Sequence, residues 1–125
     1  MKLYINTTIN HFIEIALKDD CQVLAGKKLE AKYAQAERLL PEIEKLLTDS
    51  RYVLSDIEKI EVENRNKNND SSFTALRVGV IVANALGYAL GVKVEGTDYS
   101  SGQDVIEFDI IKPAYGGKPN INLKN

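Results

Sequence analysis

Cysteine is nearly missing from this chain of 125 residues: Cys21 stands alone, so neither an internal disulfide nor a cysteine-based zinc site is available. It reads as a small half-buried hydrophobe in a reducing compartment. Histidine is equally scarce, and His11, with no second histidine beside it, anchors no zinc site and suits a surface or strand-edge position. No Ser-His-Asp or Cys-His arrangement is legible, which removes the basis for a protease reading. Charge of one sign is not in excess: 16 basic against 18 acidic residues leave a formal net charge of −2, too little to draw nucleic acid by a global field. Long apolar runs are lacking as well. The longest, Val78 to Val92, is broken by Asn84 and falls short of the roughly 20 residues that cross a bilayer. The opening "MKLYINTTINHFIEIALKDD" has polar residues where a signal peptide needs its apolar core. A cytoplasmic protein away from membranes is the expectation, and the length suits one domain.

What is present alternates in period. "KLYINTT" sets Leu3 and Ile5 against Tyr4 and Asn6, and "HFIEIAL" continues with Phe12, Ile13 and Ile15. Asp19 and Asp20 mark a tight hairpin before "CQVLAGKKLEA", so the chain should open as an antiparallel meander of three strands. From Lys32 to Thr48 the period changes: Ala36, Leu39, Leu40, Ile43, Leu46 and Leu47 follow helical spacing, and Pro41 should kink the helix or begin a new segment. "SDIEKI" reads as a short turn capped by Ser55, and "KIEVEN" as a fourth strand.

A polar loop over 64–70 then meets "SSFTALRVGVIV", where Ser71 or Ser72 can cap a helix running from near Phe73 to Leu90. That helix is apolar on nearly every face and should be largely buried. Ala75, Gly79, Ala83 and Gly87 recur every four residues as a ridge without bulk, which suits close approach of another backbone, its own sheet's or a partner's. Gly91 fits the C-terminal cap. "VKVEG" supplies a fifth strand and "VIEFDII" a sixth, before an extended, irregular tail from about residue 112. The order predicts a single α/β lobe, a mixed sheet with two main helices.

"ERLLPEIEKLL", "SSFTALRVGVIVANALGYALGVKVEG" and the first-strand "INTT" resemble the TsaB family, the non-catalytic subunit of the bacterial machinery that makes threonylcarbamoyladenosine on tRNA. The second-helix match is the most specific, with Ser72, Phe73, Thr74, Leu76, Arg77 and Gly79 in register, and "PAYGGKPNINLK" is similar to the family's Pro-x-Tyr ending. The resemblance implies a ribonuclease H-like fold of the actin-like ATPase superfamily, here one lobe of residues 1–125, without the second lobe that family members carry. It implies a scaffold that pairs with a TsaD-type transferase subunit, with a TsaE-type ATPase joining through the complex and tRNA contacted indirectly. ATP and metal are then expected on the partner subunits and no cofactor on this chain. Leu40, Leu47, Ala75, Gly79, Ala83 and Gly87 are the expected partner surface, which a homodimer could use instead.

Residues that depart from the family pattern bear on chemistry. The polar loop lacks the glycines that let a backbone approach a phosphate, which argues against nucleotide cradling there. Asn6 stands where actin-like ATPases place a metal-binding aspartate, and an amide is a poor substitute for an anionic oxygen; the simpler role is a turn cap. Asp19 and Asp20 are better explained by the hairpin than by a metal. Arg65, Lys67 and Arg77 form at most a small basic patch toward tRNA. Two other functions compete: an actin-like phosphotransferase or ATPase, which needs a second wall for its cleft, and a ribonuclease H-like nuclease, which needs Glu14, Glu61 and Glu63 to converge.

Overall fold

The computed structural model describes residues 1–9, 11–20, 22–32, 34–64 and 73–97. Cys21, Arg65, Lys67, Ser71, Ser72, the expected sixth strand and the tail lie outside the described residues, as do the side chains of Phe73 and Thr74.

Three antiparallel strands open the chain: β1 (Lys2–Asn6), β2 (Phe12–Asp19) and β3 (Gln22–Glu30). The β2–β3 hairpin turns at Asp20, whose φ of +54° is the left-handed conformation that Asp tolerates in tight turns. Helix α1 (Gln35–Asp49) follows, then one turn of 3-10 helix (Leu54–Asp56), strand β4 (Lys59–Val62), helix α2 (Phe73–Leu90) and strand β5 (Lys93–Gly96). The sheet order is β3-β2-β1-β4-β5, with β4 parallel to both β1 and β5. This mixed sheet with two main helices is the α/β lobe expected from the periodicities.

One expectation is narrowed and one needs correction. Of the two outcomes expected at Pro41, a new segment does not occur: α1 runs through it from Gln35 to Asp49. Packing explains how the helix tolerates the lost hydrogen bond: Leu39, Ile43, Leu46 and Leu47 are all buried in the core on both sides of the proline. Ser55 is not the cap of the 3-10 turn. Val53 occupies that place, its N–H donating to Asp56 Oδ2 at 2.9 Å, so the side chain that satisfies the turn comes from inside it.

Cross-strand register sorts the sheet into two unlike faces. Leu3 lies opposite Leu17 and Ile60, Ile5 opposite Ile15 and Val62, and Ile60 opposite Val94. All are buried in one cluster with Leu39 and Ile43 of α1 and Val80 and Ala83 of α2, so both helices cover this one face. Lys27 of β3 reaches Glu42 of α1 at 2.7 Å, and Arg38 joins it at 3.1 Å, which pins α1 over the edge of the sheet. Gly91 ends α2 with φ +69°, the C-terminal cap its sequence position suggests.

Candidate partner surface and the strand-end cluster

The small ridge of α2 meets the protein's own sheet. A Cβ built on Gly79 would lie 2.7 Å from Thr7 Oγ1 and 3.6 Å from Ile5, and one on Gly87 would collide with Val94. Ala83 is fully buried in the same cluster, and the Ala75 carbonyl accepts a hydrogen bond from the Thr7 hydroxyl. The expectation that Ala75, Gly79, Ala83 and Gly87 form a partner surface is therefore corrected: they let α2 sit low on β1 and β5. Leu47 is corrected likewise, being 2 % exposed within the core. Leu40 is different, 40 % exposed on the outer side of α1.

Sequence reasoning missed the outward stripe of α2. Ile81 is 56 % and Tyr88 90 % exposed, and Arg77, Ala85 and Ala89 are exposed with them, spaced by three, four and seven residues along the helix. Leu76, in register with the family motif, is fully buried, whereas Arg77 faces outward. A helix apolar almost all round has no single face that periodicity can pick, so spacing alone could not separate Gly79 from Ile81.

The second feature lies at the C-terminal ends of β1 and β4. The buried polar residues Asn6, Thr7, Thr8, Glu63 and Asn64 all belong here. Asn6 Oδ1 accepts from the Thr8 N–H at 2.8 Å and the Thr8 hydroxyl at 2.7 Å, the turn-capping role expected of it. Its amide reaches Glu14 Oε1 at 3.4 Å, while the Tyr4 hydroxyl lies 3.5 Å from Glu63 Oε1. Burial, and then the carboxylates of Glu63 and Glu14, push the Tyr4 phenol well above its usual range. Glu61 points along the same face but is engaged by Lys2 at 3.4 Å and Lys18 at 3.9 Å. Among the described residues no group of three His, Cys, Asp or Glu side chains is placed to hold a metal ion, so Glu14, Glu61 and Glu63 do not converge as a nuclease centre requires. His11, at φ +62°, sits at the start of β2, its carbonyl accepting from the Ala31 N–H.

YeaZ from Pseudomonas aeruginosa superposes on this fold with a TM-score of 0.66, at 24% identity over 78% of this chain. A second solved chain, described as an uncharacterized protein with similarity to peptidase YeaZ from Pseudomonas aeruginosa, matches with the same TM-score and identity. The architecture, a mixed five-stranded sheet with two helices on one face, is the fold of these YeaZ chains. An uncharacterized protein of Mycobacterium leprae (strain TN) is 34% identical over 77 residues, 62% of this chain. The chain spans 20% of that protein and less than half of each solved chain, 43% and 42%. No protein-family model matches. Among the described residues no helix is long and apolar enough to cross a membrane.

Proposed function

We propose that this chain is a TsaB-type scaffold subunit for tRNA N6-threonylcarbamoyladenosine synthesis, acting on position 37 adenosine through a TsaD-type transferase partner. The reading has three supports: the fold, the second-helix motif with Leu76 and Arg77, and an outward apolar stripe that the core does not need. The stripe carries the argument. Ile81 and Tyr88 of α2 are large, exposed side chains two turns apart on the outer side of the helical layer, and in this reading they are the anchors of the partner interface. Leu40 on the outer side of α1 is the further anchor. In this reading the chain performs no chemistry itself: ATP and metal are held by the TsaD-type and TsaE-type subunits, and the scaffold keeps the transferase competent.

Reconstitution tests the function. Purified TsaD-type and TsaE-type subunits from the same source, supplied with tRNA, ATP and threonylcarbamoyl-adenylate, should modify tRNA only when this chain is added. Modification at equal rate without it would remove the scaffold role.

A further inference from the structure

The sheet face opposite the helices carries a feature that only the strand register reveals. Lys2 of β1 lies directly opposite Lys18 of β2 and Lys59 of β4, and Lys59 opposite Lys93 of β5. Four lysines thus form one row across four adjacent strands, and at a strand spacing of about 4.8 Å the row is roughly 14 Å long. Two aromatic rings share this face, each beneath a lysine: Lys18 Nζ lies 4.3 Å from the Tyr4 ring centroid and Lys28 Nζ 5.3 Å from that of Phe12.

The carboxylates on the face are placed unevenly. Glu61 and Glu95 stand in the next row, pairing with Lys2 and Lys18 and with Lys59 respectively. Glu14 and Glu63 stand one row further, at the far end of the strands. Asp19, Asp20 and Glu58 border a shallow depression of about 190 Å³ beside Lys2, Lys18 and Lys59, and Glu58 is held by the N-terminal amine at 3.2 Å. Within the two central rows four lysines face two glutamates, and Lys93 is exposed at the row's end. These ion pairs are half-buried rather than deeply buried, and a phosphate group has to displace Glu61 or Glu95 to reach Lys2, Lys18 or Lys59.

We infer that this lysine row binds the phosphate backbone of an RNA strand lying across the β-strands. A linear row of equal point charges matches a repeating polyanion, and a positively charged surface that tracks the backbone is the electrostatic part of nucleic-acid binding. The choice of RNA rests on the tRNA-modification reading. The two claims use opposite faces of the described sheet, so a protein partner on the helical face does not compete with RNA for the lysine row.

The test is fluorescence anisotropy of a labelled tRNA anticodon-arm transcript with the full chain, titrated at several salt concentrations. Binding should weaken with salt, at a slope of about −0.7 per phosphate neutralised. The Lys59→Ala/Lys93→Ala chain should bind at least about tenfold more weakly and lose about 1.4 from that slope. Glu61→Gln should bind more tightly, since it frees Lys2 and Lys18; this opposite sign is not produced by loss of fold. Lys93→Glu, a change at an exposed position, should also weaken binding.

No RNA binding at low salt, equal binding by the lysine-depleted chain, or equal binding to polyglutamate or to vesicles of anionic lipid would overturn the inference. Association of the same variants with the TsaD-type subunit separates the two claims. If the subunits associate and RNA does not bind, the inference alone fails; if RNA binds and the subunits do not associate, the scaffold reading fails.

Discussion

Thr7 occupies the space that a side chain on Gly79 would need. Its hydroxyl lies 2.7 Å from where that Cβ would sit and donates a hydrogen bond to the carbonyl of Ala75, one turn earlier in α2. The end of the first strand and the start of the second helix are thereby locked by one small residue and one hydroxyl.

This lock predicts a specific non-additivity. Gly79→Ala gains about 1 kcal/mol of helix propensity but overpacks a buried site, at a cost of about 1–3 kcal/mol, so it should destabilise on balance. Thr7→Ala should also destabilise, through the lost hydrogen bond. Combined, they should cost less than the sum, because the second change makes room for the first. Urea unfolding of the four proteins measures the coupling, and strict additivity would show that the two sites do not share space.

Gly91 separates conformation from crowding. Its Cβ position is open, yet φ is +69°. Gly91→Asn should therefore be tolerated better than Gly91→Val, whose branched side chain resists the left-handed region. Thermal melting distinguishes them, with Gly91→Val expected to melt lower.

Asn6→Asp should convert a capping amide into a second carboxylate beside Glu14. The amide now donates toward Glu14 Oε1, and the replacement leaves two acceptors facing each other. A loss of roughly 1–2 kcal/mol is expected at neutral pH, shrinking in acid as one carboxyl takes up a proton. Equal loss at pH 4 and pH 7 would show that Glu14 is not the cause.

Alkaline titration reports on Tyr4. Its phenol is raised by burial first and by Glu63 and Glu14 next, so the folded chain holds this proton more tightly than the unfolded one. The corresponding stability is complete below the unfolded value near 10 and is lost as pH rises through the folded value. In the ultraviolet titration of tyrosinate the Tyr4 phenol should ionise late, and Tyr4→Phe should remove that late step.

The strands and helices were legible because the hydrophobic period changes from two to 3.6 where the structure changes. Ile13 and Ile15, or Leu39 and Ile43, declare their buried faces by spacing alone, and Gly91 declares a helix end. Spacing could not decide whether Pro41 interrupts α1, because the core contacts of Leu39 and Ile43 that carry the helix through it are tertiary. The facing of α2 was hidden for another reason: with small residues on one side and Ile81 and Tyr88 on the other, both sides look apolar in sequence. Lys2, Lys18, Lys59 and Lys93 are far apart in the chain and become neighbours only through register, which no spacing rule supplies.

Association through the outward stripe of α2 is the central claim, and sedimentation velocity tests it most directly. The chain mixed with the TsaD-type subunit of the same source should sediment as a heterodimer, formed at the expense of any homodimer. Ile81→Asp or Tyr88→Asp should abolish that species while changing unfolding stability by no more than about 0.5 kcal/mol, as expected of exposed positions. Separate sedimentation of the two unaltered proteins, or a heterodimer unaffected by both substitutions, would contradict the account.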